Sequence, residues 1–367
     1  MRADDSGRGN GVCACVARAH TPFPLPLSSA RMSLAMPDAA AAAGLSPRPR
    51  RIFIDTDVGI DDAQALMCAL RTAAPHISIV GITASHGNTS LSNVEGNICA
   101  CLAVTGRLDI PVYCGAEKAL CGGVPQDSTE FHGADGLGNT QFGQAAPRTP
   151  IQMGVTAAEA IIRAALVDEA AGCAPLEVVT LGPLTNLALA TRMNERIATA
   201  VSHVWVMGGT YTAKGNCTAV AEYNIRSDPE AAAIVFDTYR SITLLTWEAT
   251  LAHGLERTFL DAYLRTDTPV GAWLAAVSAY LLRACEADLD TTGLLIPDPL
   301  CMAIALQPEL IVESVQRPVV VETAGTYTRG MTIVDWLHHL RKHDNVRIVQ
   351  RVDMAGVRAM LLASTAA

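Results

Sequence analysis

Four carboxylates fall within eight residues at Asp55-Thr56-Asp57-Val58-Gly59-Ile60-Asp61-Asp62. Acids this close raise one another's pKa, so the arrangement is costly unless a cation shares them. One or two could simply cap a following helix, but four exceed what a helix start uses. The cluster offers only oxygen, with no histidine or cysteine in it, which points to a hard cation, Ca2+ or Mg2+, and away from zinc. Site size and rigidity choose between those two, and the sequence shows neither. Gly59 offers a backbone conformation closed to other residues, so that the turn folds the acids inward. Asp61 and Asp62 open a helix, where acids meet the favourable end of its dipole.

The elements that must hold these acids follow from the apolar pattern. Arg51 to Thr56 is a short apolar run ending in the acids, as expected of a buried strand whose C-terminal end meets a site. Further strands are predicted at Ile77 to Thr83, Pro111 to Cys114, Leu176 to Leu181, His203 to Met207 and Ile242 to Leu245. Helical spacing falls between them at Asp61 to Leu70, Ser90 to Val104, Thr156 to Ala170, Leu184 to Met193 and Pro229 to Phe236. Such alternation predicts an α/β fold with a mainly parallel, Rossmann-like sheet flanked by helices on both faces. The polar, Gly-rich stretch from Gly122 to Pro150 reads as a long loop near a site. Residues 1 to 50 hold Arg, Ala, Pro and Ser, few acids and no sustained period. They read as a disordered leader or an upstream extension, since Met32 and Met36 offer later starts, or else as an organelle transit peptide. The catalytic domain is then 51 to 367.

Bulk properties exclude several partners. The chain has 367 residues, 50% hydrophobic and 17% charged, which suits one large domain or two closely packed ones. A formal charge of −9 argues against nucleic acid, whose phosphates need a basic face. No uninterrupted apolar run reaches 18 residues, so no membrane-spanning helix is expected. Small neutral substrates and carboxylate-held cations fit better. The 11 cysteines include two C-x-C pairs, Cys13/Cys15 and Cys99/Cys101, and no C-x-x-C. They read as buried thiols in a reducing compartment, hence a cytoplasmic protein.

The run Ile54-Asp55-Thr56-Asp57-Val58-Gly59-Ile60-Asp61-Asp62-Ala63-Gln64-Ala65-Leu66 resembles the N-terminal signature of the inosine-uridine preferring nucleoside hydrolases. From about Arg51 to the C-terminus, further segments match that family in order. They are Gly87-Asn88; Phe131-His132-Gly133 with Gly136 and Gly138; Leu181-Gly182-Pro183-Leu184-Thr185-Asn186; Met207-Gly208-Gly209; Asn216; Ala221-Glu222-Tyr223-Asn224; Asp228-Pro229-Glu230; Asp298-Pro299; and Gly330-Met331-Thr332. Each is weak alone, and their shared order carries the resemblance.

The resemblance implies the nucleoside hydrolase fold and hydrolysis of a ribonucleoside to ribose and free base, in nucleobase salvage. It implies calcium held by Asp57, Asp62, the Leu181 carbonyl and Asp298, with ribose hydroxyls and a water completing the shell. Asp57 would be the general base, with Asn88 near the water and the glycosidic bond. Asp61, Asn216, Glu222, Asn224 and Asp298 would grip the ribose. The transition state would resemble an oxocarbenium ion. Family members are usually homodimers or homotetramers.

One departure stands out. The position of the family's leaving-group histidine is Pro297 here, and proline has no proton to give. The substitutes are His132, a donor from a loop at Cys285 to Thr292, or aromatic stacking by Trp247 or Tyr280. Two other readings compete. A haloacid-dehalogenase-like phosphatase also ends a strand in D-x-D, but wants Thr or Val where Gly59 stands, and a phosphate-binding lysine, for which the core offers few, such as Lys118 and Lys214. A ribose or nucleoside binder that has lost turnover would fit Pro297, but needs no water-activating base.

Overall fold

The computed structural model describes residues 49–122, 128–167, 170–264, 267–286 and 293–367. Expectations for residues 1 to 48, and for the part of the Cys285 to Thr292 loop from residue 287, lie outside them. The described residues from 49 to 367 form one compact unit.

Nine strands make the main sheet, in the order β4-β3-β2-β1-β5-β6-β7-β11-β8. They are β1 (Arg50–Thr56), β2 (Ile77–Ala84), β3 (Val112–Cys114), β4 (Ile151–Thr156), β5 (Leu176–Thr180), β6 (Val201–Met207), β7 (Ile242–Leu245), β8 (Ile311–Arg317) and β11 (Val346–Val352); β9 (Val319–Val321) and β10 (Thr332–Val334) pair separately. All main-sheet pairs are parallel except β8 with β11. The six strands predicted from sequence are all present. β4, β8 and β11 were not predicted: β4 lies between the stretch read as loop and the helix read from Thr156, and β8 and β11 carry exposed polar residues that mask their period.

Strands alternate their side chains between two apolar layers. Ile52 and Ile54 enter one cluster and Phe53 the other; Val204 and Val206 oppose Trp205 and Met207. The first layer takes α1 (Ile60–Thr72), α2 (Leu91–Thr105), α8 (Pro269–Ala284), α9 (Pro297–Leu306) and α10 (Met354–Thr365). The second takes α3 (Ala157–Ile162), α4 (Thr185–Met193) and α6 (Pro229–Thr238). Between them in the chain lie α5 (Tyr223–Ser227) and α7 (Trp247–Leu251).

The helix expected from Thr156 to Ala170 is shorter. Thr156 caps it in a reciprocal box with Glu159, and the chain turns π-helical at Arg163–Val167. The stretch from Gly122 to Pro150 is not all loop, since Thr129–His132 and Phe142–Ala145 are helical turns.

Strand order reverses between β1 and β5. β1 leads outward through β2, β3 and β4, while β5 leads the other way through β6 and β7. At such a switch point the loops leaving the two strands part to opposite faces and open a crevice at their C-terminal ends. Asp57 follows β1, and Leu181 follows β5. The fold therefore puts the acidic segment at the mouth of that crevice.

The cysteines divide. Cys68, Cys99, Cys101 and Cys301 are buried, but Cys114, Cys121 and Cys173 are exposed, correcting the expectation of uniformly buried thiols. No described helix is long and apolar enough to cross a membrane.

Candidate active site

The acids converge from two helix starts. Helix α1 carries Asp61 and Asp62 in its first turn and packs against α9, which carries Asp298 in its own. Oxygen atoms of Asp61, Asp62 and Asp298 lie within 4.8 Å of one another, and all three residues are buried or nearly so. Helix N-termini favour negative charge, which partly offsets the crowding.

Asp62 also caps its own helix. Its Oδ2 accepts from the Gly59 amide at 2.9 Å and from Asn88 Nδ2 at 3.1 Å, and its Oδ1 accepts from the Thr56 hydroxyl at 2.5 Å. The Oδ1 of Asp61 is buried with no hydrogen-bond partner.

Asp57 is wedged between glycines. Its Oδ2 accepts from the Asn88 amide at 3.0 Å. A Cβ on Gly87 would sit 1.8 Å from that oxygen, and one on Gly182 would sit 2.6 Å from Oδ1. Both glycines leave room for one carboxylate and nothing more. Gly59 has a different reason from the one expected. Its φ of −90° is open to any residue, but a Cβ there would meet His132 Nδ1 at 2.6 Å and Asn88 Nδ2 at 2.8 Å.

Asp55 does not join the triplet. Thr83 and Asn186 donate to its Oδ1 at 2.7 and 2.8 Å, tying β1 to β2 and α4.

Burial and mutual repulsion set the protonation of these groups. Desolvation, then the neighbouring acids, push Asp57 and Asp298 well above the usual carboxylate range and raise Asp62 as well. Burial alone lifts Asp61 and Asp55 to about 6. Burial also drives His132 down to about 4. Its Nδ1 accepts from the Ile60 amide at 3.1 Å, so the neutral ring carries its proton on Nε2, and at 3.7 Å from Asp61 it forms no charged pair at neutral pH.

The ribose candidates line a cavity of about 670 Å³. Asp61, Asn88, Leu181, Asn216, Glu222, Asn224 and Asp298 line it together with His132, whereas Asp57 and Asp62 are not among its lining residues. Glu222 is the N-cap of α5, accepting from the amides of Asn224, Ile225 and Gly209, and burial lifts it to about 7. Asn224 Nδ2 donates to the Leu181 carbonyl at 2.6 Å, and Asn216 Oδ1 accepts from the Tyr223 amide at 2.9 Å. Ordinary turn bonding and placement at the cavity thus coincide in these residues.

Of the proposed stackers, Trp247 lines the cavity, as does Cys285, whereas the Tyr280 hydroxyl donates to Thr129 O. The sequence reading missed Thr56, Ser128, Phe131 as a lining residue, Tyr223, Asn186, and the walls at Gly87 and Gly182. Several of these sat inside the quoted motifs, where their order was noted and their contacts were not visible. Lys118 and Lys214 are both exposed and neither lines the cavity, which leaves the phosphatase reading without its lysine.

Comparison with known proteins agrees. Residues 52–359 match the family described as inosine-uridine preferring nucleoside hydrolase. The chain is similar to the inosine-uridine preferring nucleoside hydrolase of Leishmania major, 32% identical over 310 residues covering 83% of this chain and 94% of that one. It is similar to the pyrimidine-specific ribonucleoside hydrolase RihA of Salmonella typhimurium, 33% identical over 306 residues with the same coverage. A probable uridine nucleosidase 2 of Oryza sativa subsp. japonica is 41% identical over 192 residues, a match spanning 52% of this chain and 55% of the rice protein. Among solved structures, a plant nucleoside hydrolase superposes with a TM-score of 0.76 at 30% identity, covering 87% of this chain and all of its own. With the crevice, its acids and this shared sequence in view, the chain belongs to the inosine-uridine preferring nucleoside hydrolase family, enzymes that hydrolyse the N-glycosidic bond of ribonucleosides.

Proposed function

We propose that this hydrolase works with Ca2+ held by its buried acids, with Asp57 activating the attacking water. The observation that carries the reading is the Asp61, Asp62 and Asp298 triplet with an orphaned buried oxygen on Asp61. Buried acids at this density, all oxygen donors, fit a hard cation. Asp57, Asp62, Asp298 and the Leu181 carbonyl would hold it, with Asp61 directed at the same centre. When bound, calcium supplies positive charge that orients sugar and water together and makes the water easier to deprotonate.

The chain's own residues do the rest. Asp57, fixed by Gly87, Gly182 and the Asn88 amide, takes one proton from the water as its oxygen bonds to C1′. The C1′–N bond breaks, and its electron pair leaves with the base. Asp61, Asn216, Glu222, Asn224 and Asp298 hold the ribose hydroxyls, and their negative ends stabilise the oxocarbenium-like sugar. Asn88 is tied to Asp62 and Ser128 and orients the water side of the bond. His132, neutral and buried beside Asp61, would meet the base through Nε2.

Assembly as a homodimer or homotetramer, a cytoplasmic location and a part in nucleobase salvage go with this reading. The test is free-ribose release from inosine, uridine, cytidine, adenosine and guanosine, with and without a chelator. Release that stops with chelator and returns with Ca2+ is expected. Full activity in chelator would sink the metal assignment, and tight ribose binding with no release would favour the non-catalytic binder.

A further inference from the structure

Tyr223 stands between Glu222 and Asn224 at the start of α5 and lines the cavity. Its hydroxyl is buried and has no hydrogen-bond partner among the described residues. Buried phenols nearly always find a partner, because leaving one unmade costs about 1–3 kcal/mol. An unpaired one at the wall of a substrate cavity points to a partner that arrives with the substrate.

Its surroundings say which part of the substrate. The Asp57 carboxylate acts on this hydroxyl through its charge, and the Ser128 hydroxyl stands close by, short of hydrogen-bond geometry and with its own proton on Asn88. Ser128 opens the helical turn that brings Phe131 and His132 to the cavity. The group therefore stands within range of both the water-activating acid and the segment that carries an aromatic ring. Most other donors nearby are committed, the His132 Nε2–H being the exception. Asn88 Nδ2 goes to Asp62, Asn224 Nδ2 to the Leu181 carbonyl, and the Ser128 hydroxyl to Asn88. Pro297, also at the cavity, has no donor at all.

We propose that the Tyr223 hydroxyl donates a hydrogen bond to the departing nucleobase, at the acceptor atom beside the glycosidic nitrogen (O2 of a pyrimidine, N3 of a purine). This deepens the hydrolase reading and rests on it. As the C1′–N bond breaks, the pair left on the ring nitrogen spreads to that neighbouring acceptor. A fixed O–H aimed there stabilises the charge as it forms and transfers no proton; the proton that neutralises the base comes from water. Burial and the nearby Asp57 push the phenol up, so it keeps its hydrogen across the working pH range.

The test compares leaving groups on one sugar. Tyr223→Phe keeps the ring and removes only an unpartnered hydroxyl. Its kcat/KM is measured on the best of the five nucleosides and on 4-nitrophenyl β-D-ribofuranoside, whose phenolate departs without help. The expected result is a loss of about 30-fold or more on the nucleoside, within the range of a single directed donor, and less than about threefold on the nitrophenyl riboside. The nitrophenyl rate also reports that the variant is folded. Equal losses on both would assign Tyr223 to packing or to the water and overturn the proposal; no loss on either would overturn it too. If the unmodified enzyme releases ribose from none of the six compounds, the hydrolase reading itself fails and the proposal falls with it.

Discussion

The two ends of the cavity are built differently. The carboxylate end hangs from strand ends and helix starts at the switch point, and nearly every polar atom there is tied to backbone or to a neighbour. The base end is made by a helical turn, the helix start at Trp247 and apolar side chains such as Leu251 and Leu281, and the buried Tyr223 hydroxyl that lines the same cavity is unpaired among the described residues. A site that breaks a sugar–base bond is served by this division. Chemistry demands fixed atoms, while recognition of varied bases tolerates an adaptable wall.

The sharpest way to break the comparison is at the fixed end. Asp57→Ala would remove the proposed base and a proposed cation ligand together, so kcat is expected to fall at least about 1,000-fold and calcium affinity to drop with it. Ribose release and calcium titration check both, and retained activity would end the mechanism. Gly182→Ala tests rigidity without touching any ligand. Its Cβ would press on Asp57 Oδ1, and a displacement near 1 Å is expected to cost about 100-fold in kcat. Wild-type turnover in that variant would mean the wall is soft.

This division also explains what the sequence disclosed. Asp55 to Asp62 were legible because four acids on one short segment have few other uses, and the parallel core was legible because β1, β2, β5, β6 and β7 are apolar runs with little competing pattern. The convergence of Asp298 on Asp61 was not readable from spacing, since it depends on α1 packing against α9 some 236 positions apart in the chain, from 62 to 298. Gly59 looked like a residue kept for its backbone freedom, and it is kept for want of space. Tyr223 was passed over inside a matched motif, because a phenol's lack of a partner exists only in three dimensions.

A third test uses pH. In the cation-free protein Asp61 and Asp55 titrate near 6 and Glu222 near 7, all above their unfolded values of about 4. A raised folded pKa means folding favours the protonated form. Their contribution to stability is therefore full below about pH 4 and is lost as pH rises through 6 to 7. In chelator, Tm is expected to fall by several degrees from pH 5 to pH 8. Calcium held as proposed would bind the ionised form, so it should raise Tm more at pH 8 than at pH 5. An equal rise at both would mean that the ion binds elsewhere than among these acids.

The smallest effect is expected at the adaptable end. Phe131 is 45% exposed although it lines the cavity, which is unusual for a large aromatic unless a ligand covers it. A nucleobase stacked on its ring would gain about 0.5–1.5 kcal/mol, and the top of that range is about tenfold in affinity. Phe131→Ala should thus raise KM by up to about tenfold and leave kcat within about twofold, because stacking holds ground state and transition state alike. Free ribose touches none of this ring, so its inhibition constant should not move. A fall in kcat with unchanged KM would reverse the assignment, placing Phe131 with the parts that act only as the bond breaks and removing the distinction between the two ends.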